Sequence, residues 1–286
     1  MWILFAIASS FFAGLTAILS KIGVQNTNSH LATALRTTVV LFFSWILVMF
    51  TGQLHAITQV STYTFCFLVL SGISTGASWL CYFRAIQIGE VNKVSAVDKT
   101  STILTIFLAF LFLHETITMI GIVAILFIGL GTWLMTDLHS FKQLYERSNS
   151  HWFLYSFGSS FFASLTAIFG KIGIASIPSQ LGTAIRTIFV LLFAWLFVFF
   201  QGKQKEIKQI ERRSWIYLFL SGMTTGISWL CYYRALQDGN ASVVVPIDKL
   251  SIVVTVLFSS LVLKETIKRR TKIGLLFLIL GTFLLL

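Results

Sequence analysis

The chain has 286 residues, of which 56% are hydrophobic and only 11% charged, and its formal net charge is +11. A soluble domain carries about 25% charged residues. The charge deficit, a mean hydropathy of +0.86 and repeated apolar runs of about 20 residues therefore exclude a soluble class and place the chain in a bilayer. Most of the positive excess sits in short loops between apolar runs, where basic residues set topology, so no nucleic-acid partner is expected.

In chain order, helices are expected over 2–20, 31–50, 64–83, 94–113 and 117–136, then over 152–170, 181–200, 214–233, 243–263 and 272–286. The last is short and is expected to start earlier, in the basic loop before it. Backbone groups in hydrocarbon must be satisfied within the protein, and long apolar segments without period-two alternation favour helices over a barrel. The first run begins at residue 2 without a basic leader or small-residue cleavage site. Met1 to Ser20 therefore reads as a retained span, not a removed signal peptide. Cys66, Cys81 and Cys231 all fall inside spans and form no disulfide framework or metal pattern.

Residues 2–136 reappear without a gap as 152–286: Trp2 matches Trp152, Arg36 matches Arg186, Arg84 matches Arg234, and Asp98-Lys99 matches Asp248-Lys249. A repeat of this length decides the architecture. Each copy holds five spans, and an odd number inserts the second copy upside down relative to the first. The fold class expected is an all-α membrane protein of ten transmembrane helices arranged as two inverted five-helix repeats. The units are 1–136 and 152–286, joined by a polar linker, 137–151, with a short amphipathic stretch. Inverted repeats are a recurrent plan of secondary transporters, with the substrate site at the repeat interface.

The loops carry the orientation signal. After the second span copy one reads TGQLHAITQVSTY, without Lys or Arg; copy two reads QGKQKEIKQIERR, with Lys203, Lys205, Lys208, Arg212 and Arg213. After the fourth span the pair is HETIT against KETIKRRTK, with Lys264, Lys268, Arg269, Arg270 and Lys272. Basic short loops stay in the cytoplasm, and Lys142 and Arg147 of the linker fall on that same side. Both termini are thus expected outside the cytoplasm, in a cell membrane of the bacterial inner-membrane type.

Each copy carries the same charges near its spans: Lys21, Arg36, Arg84, Asp98 and Lys99, repeated as Lys171, Arg186, Arg234, Asp248 and Lys249. The two sets are expected on opposite sides of the bilayer. A charge at membrane depth costs several kcal/mol, roughly 2.5–3.5 on insertion scales, and faces a cavity or a partner. Lys21 and Lys171, like Arg84 and Arg234, end their spans and are expected to snorkel. Arg36 and Arg186 lie deeper. Asp98 and Lys99 point about 100° apart on a helix and so need separate partners. Asp98 is expected to meet Arg36 or Arg84, leaving Lys99 facing a polar cavity, or the reverse. Two readings stay open, an ion-pair network that locks helices and a substrate or proton site. Pro246 loosens the start of span nine, but copy one has Ala96 there, so no shared break is expected.

Four basic groups against one acid per copy give a positive field that attracts anions or the carboxylate of a zwitterion, and a carboxylate of perturbed pKa can carry a coupling proton. The blocks SWLCYFRA (78–85) and SWLCYYRA (228–235) put Trp79, Tyr82, Trp229 and Tyr232 near the basic cluster, as interface anchors or ligand contacts. The substrate-binding set is thus Asp98, Lys99, Asp248, Lys249, Arg36, Arg186, Trp79, Trp229, Tyr82 and Tyr232. Small residues (Ser9, Ser10, Thr16, Gly72, Gly76, Ser78 and their mates) read as helix-packing positions. No HExxH, P-loop, GxSxG or EF-hand pattern occurs, and the five His lack metal spacing. No catalytic residue, metal or cofactor is expected.

The SWLCYxRA block, the IDKxS or VDKxS start of the fourth span, the LxETI turn and the GT near the end of the fifth span resemble the EamA-type family of the drug/metabolite transporter superfamily. The chain looks like two of its half-size units fused. The resemblance covers all but the linker and implies ten helices, two inverted five-helix bundles and a central cavity. Members export amino acids, drugs or metabolites, or move nucleotide sugars and triose phosphates. They are usually drawn with both termini in the cytoplasm, opposite to the loop charges here. The function expected is secondary transport of a small polar or amphipathic metabolite, anionic or zwitterionic, by alternating access. A passive channel or scramblase, or a non-transporting membrane subunit, stands as the alternative.

Overall fold

The computed structural model of the chain describes residues 1–23, 27–88, 94, 97–116, 118–135, 151–262 and 269–286. The first copy contributes α1 (Trp2–Gly23), α2 (Ser29–Phe50), α3 (Thr62–Ile88), α4 (Ser101–Leu113) and α5 (Met119–Met135). The second contributes α6 (His151–Gly173), α7 (Ser179–Phe200), α8 (Arg212–Asp238), α9 (Ala241–Lys249), α10 (Ser251–Val262) and α11 (Arg269–Leu284). Among the described residues there is no strand. Among the described residues, six helical segments are long and apolar enough to cross a membrane, and α5 is a shorter apolar helix. The polar linker expected over 137–151 lies outside the described residues except for His151, which opens α6.

Helix ends follow from local sequence. Asn28 caps α2, its Oδ1 accepting from the backbone N–H of His30 at 3.0 Å, as an N-cap asparagine does. After α2 and α7 the chain makes the same exit in both copies. Gly52 and Gly202 adopt φ of +66° and +65°, a left-handed conformation that glycine adopts without a Cβ clash. Each opens a 3₁₀ segment, Gln53–Gln59 or Lys203–Gln209. Helices α3 and α8 run five residues past the ends expected at 83 and 233. Arg84 and Arg234 therefore do not end their helices; Arg234 instead pairs one turn on with Asp238 at 3.2 Å. The final helix starts at Arg269, within the basic loop, as expected.

Packing between the copies is antiparallel and pseudo-symmetric. On α1 and α8, Ser9 meets Ser228 at 3.3 Å, Thr16 meets Thr224 at 2.8 Å and Ser20 meets Ser221 at 2.8 Å. The repeat-equivalent pair α3 and α6 shows Ser78–Ser159 at 3.3 Å and Thr75–Thr166 at 3.3 Å. Repeat mates α5 and α11 also run antiparallel: Gly131 abuts Gly274 and Leu278, while Gly281 abuts Ala124 and Ile128. Mates that cross in opposite directions require a two-fold axis perpendicular to the helices, so the repeats are inverted. The small residues let the backbones approach: a Cβ on Gly72 would lie 2.7 Å from Phe189, and one on Gly222 2.7 Å from Val39.

Large apolar side chains face outward. Phe42, Met49, Leu126, Leu154, Leu192, Phe199 and Leu261 are all exposed, far beyond the apolar patch of a soluble monomer, so they face the hydrocarbon of the bilayer. The interior mixes Leu, Ile and Val (Leu31, Leu68, Ile106, Ile168, Leu181) with many buried Ala, Ser and Thr.

The fourth span of each copy tightens just after its Asp-Lys pair. Thr100 N–H donates to Val97 O and Leu250 N–H to Ile247 O, both at 3.0 Å, three residues back rather than four. The break is thus shared, contrary to the expectation from Pro246. Its cause is not the proline, which only copy two holds. In copy one the Thr100 hydroxyl also bonds Val97 O, at 2.6 Å, competing for a helical acceptor.

Candidate transport site

Arg186 lies two turns into α7 and is 1% exposed. Its Nε donates to Ser71 Oγ at 3.2 Å and its Nη2 to Thr75 Oγ1 at 2.8 Å, both from α3 of the other copy. The guanidinium carbon lies 5.0 Å from the Trp229 ring and 4.6 Å from that of Tyr233, close enough for cation–π attraction. Hydroxyls and aromatic faces, not a carboxylate, hold this buried charge. Arg36, the mate, donates from Nη2 to Thr225 Oγ1 at 3.0 Å, the repeat image of Thr75. Among the described residues no ion pair joins Arg36 or Arg186 to an aspartate. The expected Asp98–Arg36 pair is therefore not formed.

The aspartates are held by serines across the repeat interface. Ser9 donates to Asp248 Oδ1 and Ser159 to Asp98 Oδ1, both at 2.6 Å. Ser228 donates to Ser9 O and Ser78 to Ser159 O, both at 3.0 Å. These two carboxylate clusters are images of each other. Each of Ser9 and Ser159 lies two turns from the start of its helix, and those helices start at opposite ends of the bundle.

Two adjoining cavities separate the copies. One, of about 290 Å³, is lined by Thr75, Trp79, Thr166, Arg186, Trp229, Tyr232, Tyr233, Asp248 and Lys249. The other, of about 370 Å³, is lined by Thr16, Thr33, Arg36, Thr37, Trp79, Tyr82, Thr225 and Trp229. Ala13, Trp79, Ser228 and Trp229 border both. Eight of the ten residues expected at the site thus line one cavity or the other. Trp79, Tyr82, Trp229 and Tyr232 face it rather than anchoring at the lipid surface. Asp98 sits one residue behind the wall, through Ser159 and Ser78; Lys99 is half-buried beside it. The three basic side chains on the walls outnumber the one acid, and low-dielectric walls strengthen such a field. Among the described residues no cluster of three His, Cys, Asp or Glu has metal-binding geometry.

One buried charge outside the two cavities escaped sequence reasoning. Glu115, between α4 and α5, is buried at 8% exposure. It takes Lys171 Nζ at 2.8 Å and the backbone N–H groups of Ala241 and Ser242 at 2.7 and 2.9 Å. Those N–H groups open α9, where the helix dipole favours an anion. Lys171 also donates to Gly239 O at 2.7 Å. It therefore closes an inter-repeat bridge and does not snorkel as expected. Burial pushes the Glu115 carboxyl up, but the hydrogen bonds from Lys171 and Ser242 outweigh it and leave the group below its ordinary range. The signal was the acid repeated in HETIT and KETI; its mate, Glu265, lies outside the described residues.

Helices that cross a bilayer in two inverted units around a polar, aromatic-lined cavity define a multi-pass membrane transporter. The EamA-like transporter family model matches residues 1–137 and again 150–286, and the chain belongs to that family. It is 41% identical over 134 residues to a Sinorhizobium protein called "Uncharacterized transporter in cobO 3'region", which covers 47% of this chain and 95% of that protein. It is 34% identical over 103 residues to "Uncharacterized protein MJ1333.1" of Methanocaldococcus jannaschii, covering 33% of this chain and 75% of that one. A solved structure described as "Crystal structure of protein" superposes with a TM-score of 0.77 at 13% identity, covering 99% of this chain and 96% of the other. That likeness concerns the fold alone. The Sinorhizobium relative is matched over nearly its whole length by less than half of this chain, so a protein of one-repeat size exists separately.

Proposed function

We propose that this protein is a secondary transporter that moves a small polar or amphipathic metabolite, anionic or zwitterionic, by alternating access. The observation that carries the reading is the pair of adjoining cavities between inverted copies, each with an arginine on its wall. Units 1–136 and 152–286 are the two moving halves. Exchange of their roles about the pseudo-two-fold axis opens one cavity while closing the other. The serine-held Asp98 and Asp248 carry the coupling proton, and Trp79, Trp229, Tyr82 and Tyr232 stack on the less polar part of the substrate. The protein resides in a cell membrane with both termini outside the cytoplasm.

Purified protein in liposomes, loaded with a metabolite mixture, tests this. Saturable release that an opposite gradient of the same solute accelerates, and that a pH gradient drives, is expected. Flux that neither saturates nor shows trans-acceleration would place the protein among channels and defeat the reading.

A further inference from the structure

We infer that Arg36, and not its repeat mate Arg186, receives the substrate's oxyanion, and that the difference between Ser20 and Gly170 creates this inequality. The inference rests on the anion reading above and deepens it.

The two arginines occupy equivalent positions but have different surroundings. On Arg186, Nε–H and Nη2–H form one edge of the guanidinium fork, and Ser71 and Thr75 satisfy both. The edge is full, the aromatic rings of Trp229 and Tyr233 lie near the guanidinium, and the residue is almost fully buried. On Arg36 the same edge is half empty. Nη2 donates to Thr225, but Nε is buried and has no acceptor among the described residues.

The missing acceptor can be named. The repeat image of Ser71 is Ser221, and its hydroxyl sits 2.8 Å from Ser20 Oγ. Ser20 in turn donates to Thr16 O at 2.6 Å, so Ser221 donates to Ser20 and its hydroxyl is placed there and not on Arg36 Nε, whereas Ser71 donates to Thr166 O at 2.9 Å and stays within reach of Arg186 Nε. Gly170 stands where Ser20 stands in the first copy. It has no hydroxyl to draw Ser71 away, and a side chain there would meet Tyr233 Cε1 at 2.5 Å. One serine-for-glycine difference thus frees one arginine edge and fills the other.

A buried, unpaired donor on a charged group is costly, and each such group in a native structure calls for an explanation. The Nε and Nη2 hydrogens of an arginine point the same way and match two oxygens of a carboxylate or phosphate. Arg36 lines the larger cavity, with Trp79 and Tyr82 beside it. An aromatic or amphipathic carboxylate is the ligand class that uses both features. Arg186 instead holds α3 and α7 together as a framework residue.

Arginine-specific labelling of the purified wild-type protein with phenylglyoxal, read by peptide mass spectrometry, separates the two. Arg36 should react at least tenfold faster than Arg186. Benzoate should protect it, while the neutral benzamide should not. Inorganic phosphate is the second anionic probe, and stronger protection by it would assign the site to phosphates. In Ser20→Gly, Ser221 is free to turn to Arg36 Nε, and benzoate protection should weaken several-fold without loss of the folded protein. Protection that falls on Arg186, or equally on both, would overturn the inference while the anion reading survives. No reaction at Arg36 overturns it as well. Labelling of Arg36 that neither anion suppresses would defeat the anion reading itself.

Discussion

A guanidinium removed from water is tolerated when its donors meet acceptors and its faces meet rings, and Arg186 has both without an ion pair to a carboxylate among the described residues. That choice leaves the aspartates free for another task. Asp248 receives a hydroxyl proton from Ser9, a contact that asparagine also accepts through its Oδ1. Asp248→Asn is therefore expected to fold and insert normally yet lose proton-driven transport to background, and Asp98→Asn likewise. Liposome uptake under an imposed pH gradient checks this, with size-exclusion behaviour as the folding control. Full activity in both variants would remove the carboxylates from the coupling step. The charged positions were legible in the sequence because charge is rare in an apolar chain. Their partners were not, since Ser71, Thr75, Ser9 and Thr225 are ordinary small polar residues from the other copy. Glu115 was passed over because a loop carboxylate looks solvated until the opposite copy's α9 closes on it.

Helix crossings add two expectations. At the α5–α11 crossing a Cβ on Gly131 would lie 2.7 Å from Gly274 O and Leu278 N, both backbone atoms that cannot swing aside. Gly131→Ala should cost about 1–3 kcal/mol of stability, as overpacking does. Gly129→Ala, whose nearest neighbour is the end of Ile103 at 3.4 Å, should stay within about 0.5 kcal/mol of wild type. Thermal unfolding in detergent compares them, and equal melting points would mean that the crossing yields. The second expectation concerns the bridge at α9. Glu115 has a folded-state pKa below its ordinary value. Its contribution is thus present above the unfolded value of about 4.3 and disappears as pH falls through the lower folded one. Glu115→Gln should be about 2 kcal/mol less stable at neutral pH, and the gap should close on acidification below pH ~4. Melting curves that stay equally far apart from pH 7 down to pH 3 would contradict this. Span positions were readable from hydropathy. The turn after Asp98-Lys99 was not, because Thr100 and Leu250 carry no breaker signal and the visible Pro246 pointed to a break in copy two alone.

The inverted architecture was legible at the scale of the whole molecule because two independent signals agreed: five spans per copy, and loop charges that differ between copies. The structure adds that these loops sit at opposite ends of the bundle. Mates α2 and α7 run antiparallel, with the His30 ring edge-on to Phe197 at 4.6 Å and Trp195 donating to Thr38 at 3.2 Å. The 3₁₀ segment Gln53–Gln59 after α2 has no Lys or Arg, whereas Lys203–Gln209 after α7 carries three Lys, followed by Arg212 and Arg213. Arg269, Arg270 and Lys272 open α11 at that second end. Moving a basic residue across during insertion is disfavoured, and short loops rich in Lys and Arg are retained in the cytoplasm. These charges support the proposal that the end with Lys203 and Arg269 is the cytoplasmic one. An odd number of spans separates the start of each copy from its end, so on that proposal Met1 and Leu286 both emerge on the other side. A periplasm-active reporter fused after Leu286 should be active, and a membrane-impermeant thiol reagent applied to intact cells should label Gln59→Cys but not Gln209→Cys. Neutralising the five basic residues between 203 and 213 should produce mixed orientation of the protein. A cytoplasm-active reporter that lights up after Leu286, with labelling of Gln209→Cys from outside, would show that another determinant overrides the loop charges.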